Sequence, residues 1–474
     1  MDAKKVLEIF QEITTIPRES GHEGPMTAYL QRFAAEHALA CKTDVTGNVL
    51  ITREASKGKE DVPVLVLQGH QDMVCEKVAG YEHDFSKDPI KYEVEDGWMV
   101  AKNTTLGADD GIGVAACLAL LASDLPMGRI ECLFTISEET GMDGAQALEE
   151  GFFSGKTLIN LDSEDEGQMF IGCAGGLNTI ATFHCGTEPL REGYTPVLLT
   201  IGGAQGGHSG DDINKERANT VQQMFRFLYR ELRDCALQLV SADGGNKSNA
   251  IARDCKAVIA VPDPAATIAR FREFGDILAI EYSVTDPHVT CEAMVTDAAE
   301  AVGSEAAAKF ISAMFACPHG VQAMSQDIVG LVETSTNLAS VKMTGKGTFK
   351  VATSQRSSTY TEKTMIADKV EACFLQGGAT VEHVNEYPGW KPNMESNILK
   401  VCVDSYEQLF GVKPKVLAIH AGLECGLFLD KFPGLDMISF GPTLRGVHAP
   451  GEKLELASLD KFVKHLEHVV CNFR

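Results

Sequence analysis

The stretch "RIECLFTISEETGMDG", Arg129 to Gly144, drives a run of apolar and β-branched residues into two adjacent carboxylates, Glu138 and Glu139. A short run with almost no polar alternation reads as a strand buried on both faces. "VPVLVLQGHQD" (Val62 to Asp72) and "TLINLDSED" (Thr157 to Asp165) repeat the pattern, and the helical stretch "GIGVAACLALLAS" lies between the first two runs. Together they predict an α/β domain around a mainly buried sheet. Ligands of open α/β sheets collect at the carboxyl ends of the strands, where each of these runs carries its His or acids. The strand ends therefore define a candidate site.

At 474 residues the chain exceeds one ordinary core and fits two domains. The 42 Lys and Arg against 66 Asp and Glu give a net charge of −24, which repels phosphate backbones and anionic lipid headgroups. Neither a nucleic acid nor a membrane is expected as a partner. The longest apolar run, "VAACLALLA", is far short of the roughly 18 residues of a membrane span, and the start "MDAKKVLEIFQEITTIP" lacks an export signal's apolar core. Fourteen cysteines without a close pair argue against a zinc ribbon or a disulfide scaffold and suit reduced thiols in a cytoplasmic protein. Cys75 reads better as a small buried apolar residue than as a soft ligand.

Along the chain, two amphipathic helices break near Pro17 and Gly21/Gly24, and "GNVLITRE" follows as a strand. Between Thr195 and Val381, "TPVLLTIGG", "CKAVIAVP" and "GTFKVATSQRSS" alternate like half-exposed strands, interleaved with helices, which is α+β texture. The first domain resumes after "YPGWKP". The expected organisation is a catalytic domain in two parts, 1–186 and 387–474, interrupted by an insert over 187–386.

The polar strand ends gather His70, Asp72, Asp109, Asp110, Glu138, Glu139 and Asp162. So many carboxylates at one partly buried edge repel one another unless a cation sits among them. Taken singly each acid fits an exposed rim, but four clusters on neighbouring elements favour a divalent metal held by carboxylates and imidazole. In an extended segment residues i and i+2 share a face, so Asp72 can accept the second ring N–H of His70 and fix its tautomer. Glu138 and Glu139, at a strand end turning into a loop, divide naturally into a metal ligand and a general base. Gly111-x-Gly113-x-x-Ala116 fits a dinucleotide fingerprint, but Asp109 and Asp110 would repel a pyrophosphate there. In "GGAQGGHSGDDI" the glycines would let His208 reach across a cleft, and His420 with Glu424 form only a weak i, i+4 metal pair.

Taken in order, "LQGHQDMV", "LGADDGIG", "SEETGMDGA", "NLDSED", "GGHSGDDI", "NAIAR", "ETSTNLASV", "YPGWKP" and "FGPTLRGVHAPGEK" resemble the M20 metallopeptidases, specifically the branch of cytosolic dipeptidases that act on aminoacyl-histidine and other dipeptides. The resemblance implies two divalent ions per subunit, Zn²⁺ before Mn²⁺ or Co²⁺. Asp109 bridges them, His70 and Asp162 complete one site, and Glu139 with His448 completes the other. It makes Glu138 the general base, Asp72 the residue orienting His70, and His208 an oxyanion donor that reaches the site of the partner subunit. Arg356 would bind a substrate carboxylate and Glu424 the free amine, with Asn337 and His420 also in the substrate-binding set. The insert becomes a lid and dimerisation domain, the working unit a homodimer, and the Asp109–Asp110 peptide cis. Gln71 departs from the pattern, where an apolar residue is expected. The implied activity is hydrolysis of unblocked dipeptides, aminoacyl-histidine types included. The rivals are another M20 amidase (tripeptidase, carboxypeptidase or aminoacylase) and a metal-binding protein without catalysis.

Overall fold

The computed structural model describes residues 1–474 and divides into two compact units. The first comprises Met1–Gly172, Trp390–Ala418 and Leu423–Arg474. Its main sheet has eight strands in the order Ala40–Thr43, Val49–Arg53, Ile130–Thr135, Leu65–His70, Thr157–Asn160, Asp436–Ser439, Gln168–Cys173, Lys415–Ile419. Four central strands, Ile130–Thr135, Leu65–His70, Thr157–Asn160 and Asp436–Ser439, run parallel. Every residue of Leu65–His70 and Ile130–Thr135 is buried, which explains why these runs lack alternation. The register pairs His70 with Thr135 and Gln68 with Asn160, so the three strands end nearly level.

Helix Ala108–Leu121 is buried at every position except Asp109, as the continuous apolar run after Asp110 requires. It lies close against the strand Leu65–His70. A side chain at Gly69 would collide with the Asp110 carboxylate, so only glycine permits this approach. A smaller sheet, Leu444–Arg445, Lys453–Glu455, Trp98–Ala101 and Tyr92–Glu95, ties the C-terminal hairpin to the segment before this helix. No helix is long and apolar enough to cross a membrane.

The second unit is Cys173–Gly389 with Ile419–Gly422. It is built on a nine-stranded antiparallel sheet. Helices Thr220–Asp234, Pro264–Glu281, Ser304–Ala316 and Tyr360–Gln376 share a hydrophobic cluster with it. The units do not part at the boundaries expected from the sequence texture. Strand Gly175–His184 hydrogen-bonds to Thr348–Ser357 and Thr380–Tyr387, so the second unit begins at Cys173 and its sheet at Gly175 rather than after residue 186. It leaves at Gly389, and the excursion Ile419–Gly422 also joins this unit, where the N–H of Ala174 donates to the carbonyls of Ile419 and Ala421.

At the centre of the second core the Phe310 ring meets Phe349 at 4.4 Å, Phe183 at 4.8 Å and Phe225 at 5.3 Å. Phe310→Ala should destabilise this unit by about 3–5 kcal/mol in urea denaturation and leave the metal content of the protein unchanged.

Candidate metal centre and substrate groups

The acids and imidazoles that converge do so within the first unit. His70 ends its strand fully buried, with Nε2 3.2 Å from Asp109 Oδ1 and 3.5 Å from Asp162 Oδ1. On the other side of the same carboxylate, His448 Nε2 lies 3.1 Å from Asp109 Oδ2 and 2.9 Å from Glu139 Oε2. The two oxygens of Asp109 thus face two separate imidazole–carboxylate pairs. Donor atoms of His70, Asp109 and Asp162 lie within 4.8 Å of one another, as do those of Asp109, Glu139 and His448. Two ligands on one tetrahedral Zn²⁺ at about 2.0–2.2 Å stand roughly 3.3 Å apart, so these separations fit ligands around a shared ion. The donor set, imidazole with carboxylate, is also the one such ions take.

Asp72 organises the centre from below. Its Oδ1 is 3.3 Å from His70 Nδ1 and accepts from the N–H of Glu138 at 3.1 Å. Its Oδ2 accepts from Ser20 Oγ at 2.7 Å and the N–H of Glu139 at 3.2 Å. Burial opposes its charge, but the His70, Ser20 and backbone donors prevail and hold Asp72 at about 2. Glu138 and Glu139 stand not on the strand end but on a one-turn helix, Glu138–Gly141. Ser137 turns the chain there in the left-handed region at φ 52°, and its N–H and hydroxyl both donate to Glu23. His448 has a φ of 62°, a second non-glycine residue in this region beside the site.

Without an ion the charges are in conflict. Burial pushes Glu138 up to about 8, with Glu424 and Glu139 adding to the shift against His70. Burial and the Asp109 charge raise Asp162 well above the usual carboxylate range. Hydrogen bonds to Asp109 and Glu139 hold His448 at about 10. Metal loading must therefore release protons from the centre.

Gln71, unexpected in this position, is fully buried and hydrogen-bonded throughout. It accepts from Thr27 Oγ1 at 2.8 Å and donates to the carbonyls of Gly47 at 3.0 Å and Phe134 at 2.9 Å. Glu424 is buried on the first turn of helix Glu424–Lys431, where its Oε2 accepts from Gln68 at 2.7 Å and Thr135 at 3.0 Å. Its Oε1 has no partner, and burial lifts the carboxyl to about 7. His420 precedes that helix, so the two do not share a helix face. The Asp109–Asp110 peptide is cis.

The remaining candidates lie in the second unit. The N–H groups of Gly210 and Asp211 both point at His208 Nδ1, each at 3.3 Å, and the Asp211 carboxylate lies 3.5 Å from the same nitrogen. Strand register sets Arg356 opposite Ser335. Arg356 is buried, donates to Tyr387 Oη at 3.2 Å and leaves Nε unpartnered. Ser335 Oγ is 2.7 Å from His420 Nε2, and burial, reinforced by Arg356, pushes His420 down to about 3, so the ring is neutral. Asn337, two residues along the same strand, donates to the carbonyls of Ser248 and Ala250 and keeps Oδ1 free.

Two imidazole–carboxylate groups sharing one aspartate, gathered at the edge of a buried parallel sheet, are the arrangement of a binuclear metallohydrolase. Residues 66–472 match Peptidase family M20/M25/M40, and the chain belongs to this family. It is 35% identical over 460 residues to the cytosol non-specific dipeptidase of Escherichia coli K12, covering 96% of this chain and 94% of that protein. The crystal structure of aminoacylhistidine dipeptidase from Vibrio alginolyticus superposes with a TM-score of 0.92 at 37% identity, over 99% of this chain and 96% of that one. A tripeptidase of Staphylococcus aureus shares the fold at a TM-score of 0.57 and 16% identity, over 99% and 98% of the two chains.

Because the ion-free centre crowds buried carboxylates, chelation should lower the melting temperature and restored metal should raise it. At a free metal concentration a hundred times Kd the gain is about 2.7 kcal/mol per site. Identical melting of stripped and reloaded protein would show that the cluster holds no ion.

Proposed function

We propose that the chain is a cytoplasmic dipeptidase that hydrolyses the peptide bond of unblocked dipeptides, aminoacyl-histidines among them, with zinc as the first choice for its two ions. The observation that carries this reading is the division of the Asp109 oxygens between two ligand pairs, supported by full-length similarity to two dipeptidases. In this reading His70 and Asp162 would hold one ion, Glu139 and His448 the other, and Asp109 would serve both. When bound, the ions polarise the scissile carbonyl and acidify a water.

Glu138 is the base in this reading. It takes a proton from the attacking water and returns it to the leaving amine. Its burial raises its proton affinity, which suits the accepting half of that cycle. Asp72 keeps the His70 ring oriented and anchors the backbone of Glu138. From the second unit, the His208 imidazole is the group that donates to the developing oxyanion in this reading. Arg356 reads the substrate carboxylate with Asn337 and His420 beside it in the binding set, and the free oxygen of Glu424 reads the amine. Supply of His208 by a partner subunit makes the homodimer the working unit.

Glu138→Gln should bind both ions and lose about 10²–10⁴-fold in kcat; retention of most turnover removes Glu138 from the base role. With wild-type protein, cleavage of alanyl-histidine and a leucyl dipeptide but neither an N-acetyl dipeptide nor a tripeptide is expected. Turnover of the acetylated compound would overturn the role given to Glu424.

A further inference from the structure

Asp109 can serve two ion sites only if its backbone is held still, and two buried charged residues grip that backbone from opposite sides. Glu452, 2% exposed, accepts at Oε2 from the N–H of Leu106 at 2.8 Å and Gly107 at 3.0 Å. At Oε1 it accepts from Ala108 at 2.8 Å and Asp109 at 3.4 Å. Four successive N–H groups converging at a helix start form an anion cradle, and here the chain's own acid fills it. The hairpin delivers this acid through strand pairing, since the N–H of Ala101 donates to the Glu452 carbonyl at 3.0 Å.

Arg18, also 2% exposed, holds the other side. Its Nη2 donates to the carbonyl of Gly107, and its Nη1 donates to the carbonyls of Gln71 at 3.1 Å and Asp72 at 2.5 Å. The residue Gly107 is thus bound at its N–H by an anion and at its carbonyl by a cation. Gly107 adopts φ 70°, and a side chain there would collide with Arg18 and the sulfur of Met73. The planar fork of one guanidinium also joins the loop bearing Asp72 to the helix start bearing Asp109. Burying a full cation and a full anion against neutral peptide groups is expensive for mere packing, whereas charge-assisted hydrogen bonds fix a backbone more firmly than neutral ones.

We propose that Arg18 and Glu452 are positioning residues that clamp residues 106–109 and aim both oxygens of Asp109 before any ion arrives. This rests on the reading of Asp109 as the bridging ligand. Glu452→Gln presents an amide N–H₂ to the cradle, and Arg18→Lys keeps the charge but cannot span both loops.

Zn²⁺ titration into stripped wild type, E452Q, R18K and D109N, with circular dichroism as a check of folding, separates the outcomes. E452Q and R18K should keep their secondary structure, weaken ion binding about 10–100-fold, and lose kcat while KM for a dipeptide stays near the wild-type value. Wild-type ion affinity in both variants would reduce the clamp to a structural feature and overturn the proposal. Unchanged ion stoichiometry in D109N would instead sink the bridging assignment. Hydrogen exchange on the wild type needs no variant. The clamp requires slow exchange of the 106–109 amides in stripped protein, and protection that appears only after Zn²⁺ is added would place the ordering in the ion and defeat the clamp.

Discussion

The carboxylate of Asp72 carries the centre. One buried anion faces the His70 ring, accepts from Ser20 and takes the N–H groups of both Glu138 and Glu139. These contacts fix relative positions that no single element could. A strand end, the first loop and a one-turn helix all meet around it. The depressed proton affinity of Asp72 is the energetic counterpart, since an acid that stays charged at any working pH is a reliable acceptor for all of them. Removing it would leave the Ser20 hydroxyl and two N–H groups without this acceptor, each buried one at about 1–3 kcal/mol.

A second polar layer lies under the parallel strands. Asn160 donates to Gln68 at 2.6 Å, Gln68 donates to Glu424, and Ser439 donates to Asn160 at 2.5 Å and meets Ser163 at 2.6 Å. These residues sit on three adjacent parallel strands and the loop beyond, all buried. Such a network is tolerable in an apolar sheet only because its members satisfy one another. Its one open valence is Glu424 Oε1, and the other members pair with one another, which is how the sheet accommodates Gln and Asn where Val or Ile would pack.

The sequence made part of this readable and hid the rest for physical reasons. His70, Asp72, Glu138, Glu139 and Asp162 follow unbroken apolar runs whose strands end at one edge of the sheet, and Asp109 opens the apolar helix that packs beside them. His448 sits in a loop whose position depends on the hairpin's pairing with Trp98–Ala101, a contact no local pattern announces. Arg18 and Glu452 were invisible for another reason. Their partners are backbone N–H and C=O groups, which every residue has, so no side-chain spacing records them. Strand periodicity carried Glu138 and Glu139 one step too far because Ser137 turns left-handed without being glycine. The unit boundary moved because Gly175–His184 alternates as a half-buried strand directly after the buried one, and hydrogen bonding rather than texture assigns it to the second sheet.

The discontinuity of the first unit follows from the same constraints. A binuclear centre needs ligands from more directions than the ends of a parallel sheet provide. His70 and Asp162 come from strand ends and Asp109 from a helix start, all on one side of the sequence. The opposing imidazole must come from elsewhere, and the C-terminal hairpin supplies it together with Glu452, four residues on, which grips the segment bearing Asp109. One short element thus delivers an imidazole of the cluster and the acid that holds the backbone of Asp109. Because the same hairpin pairs with Trp98–Ala101, the ion site cannot assemble until residues separated by most of the chain have met.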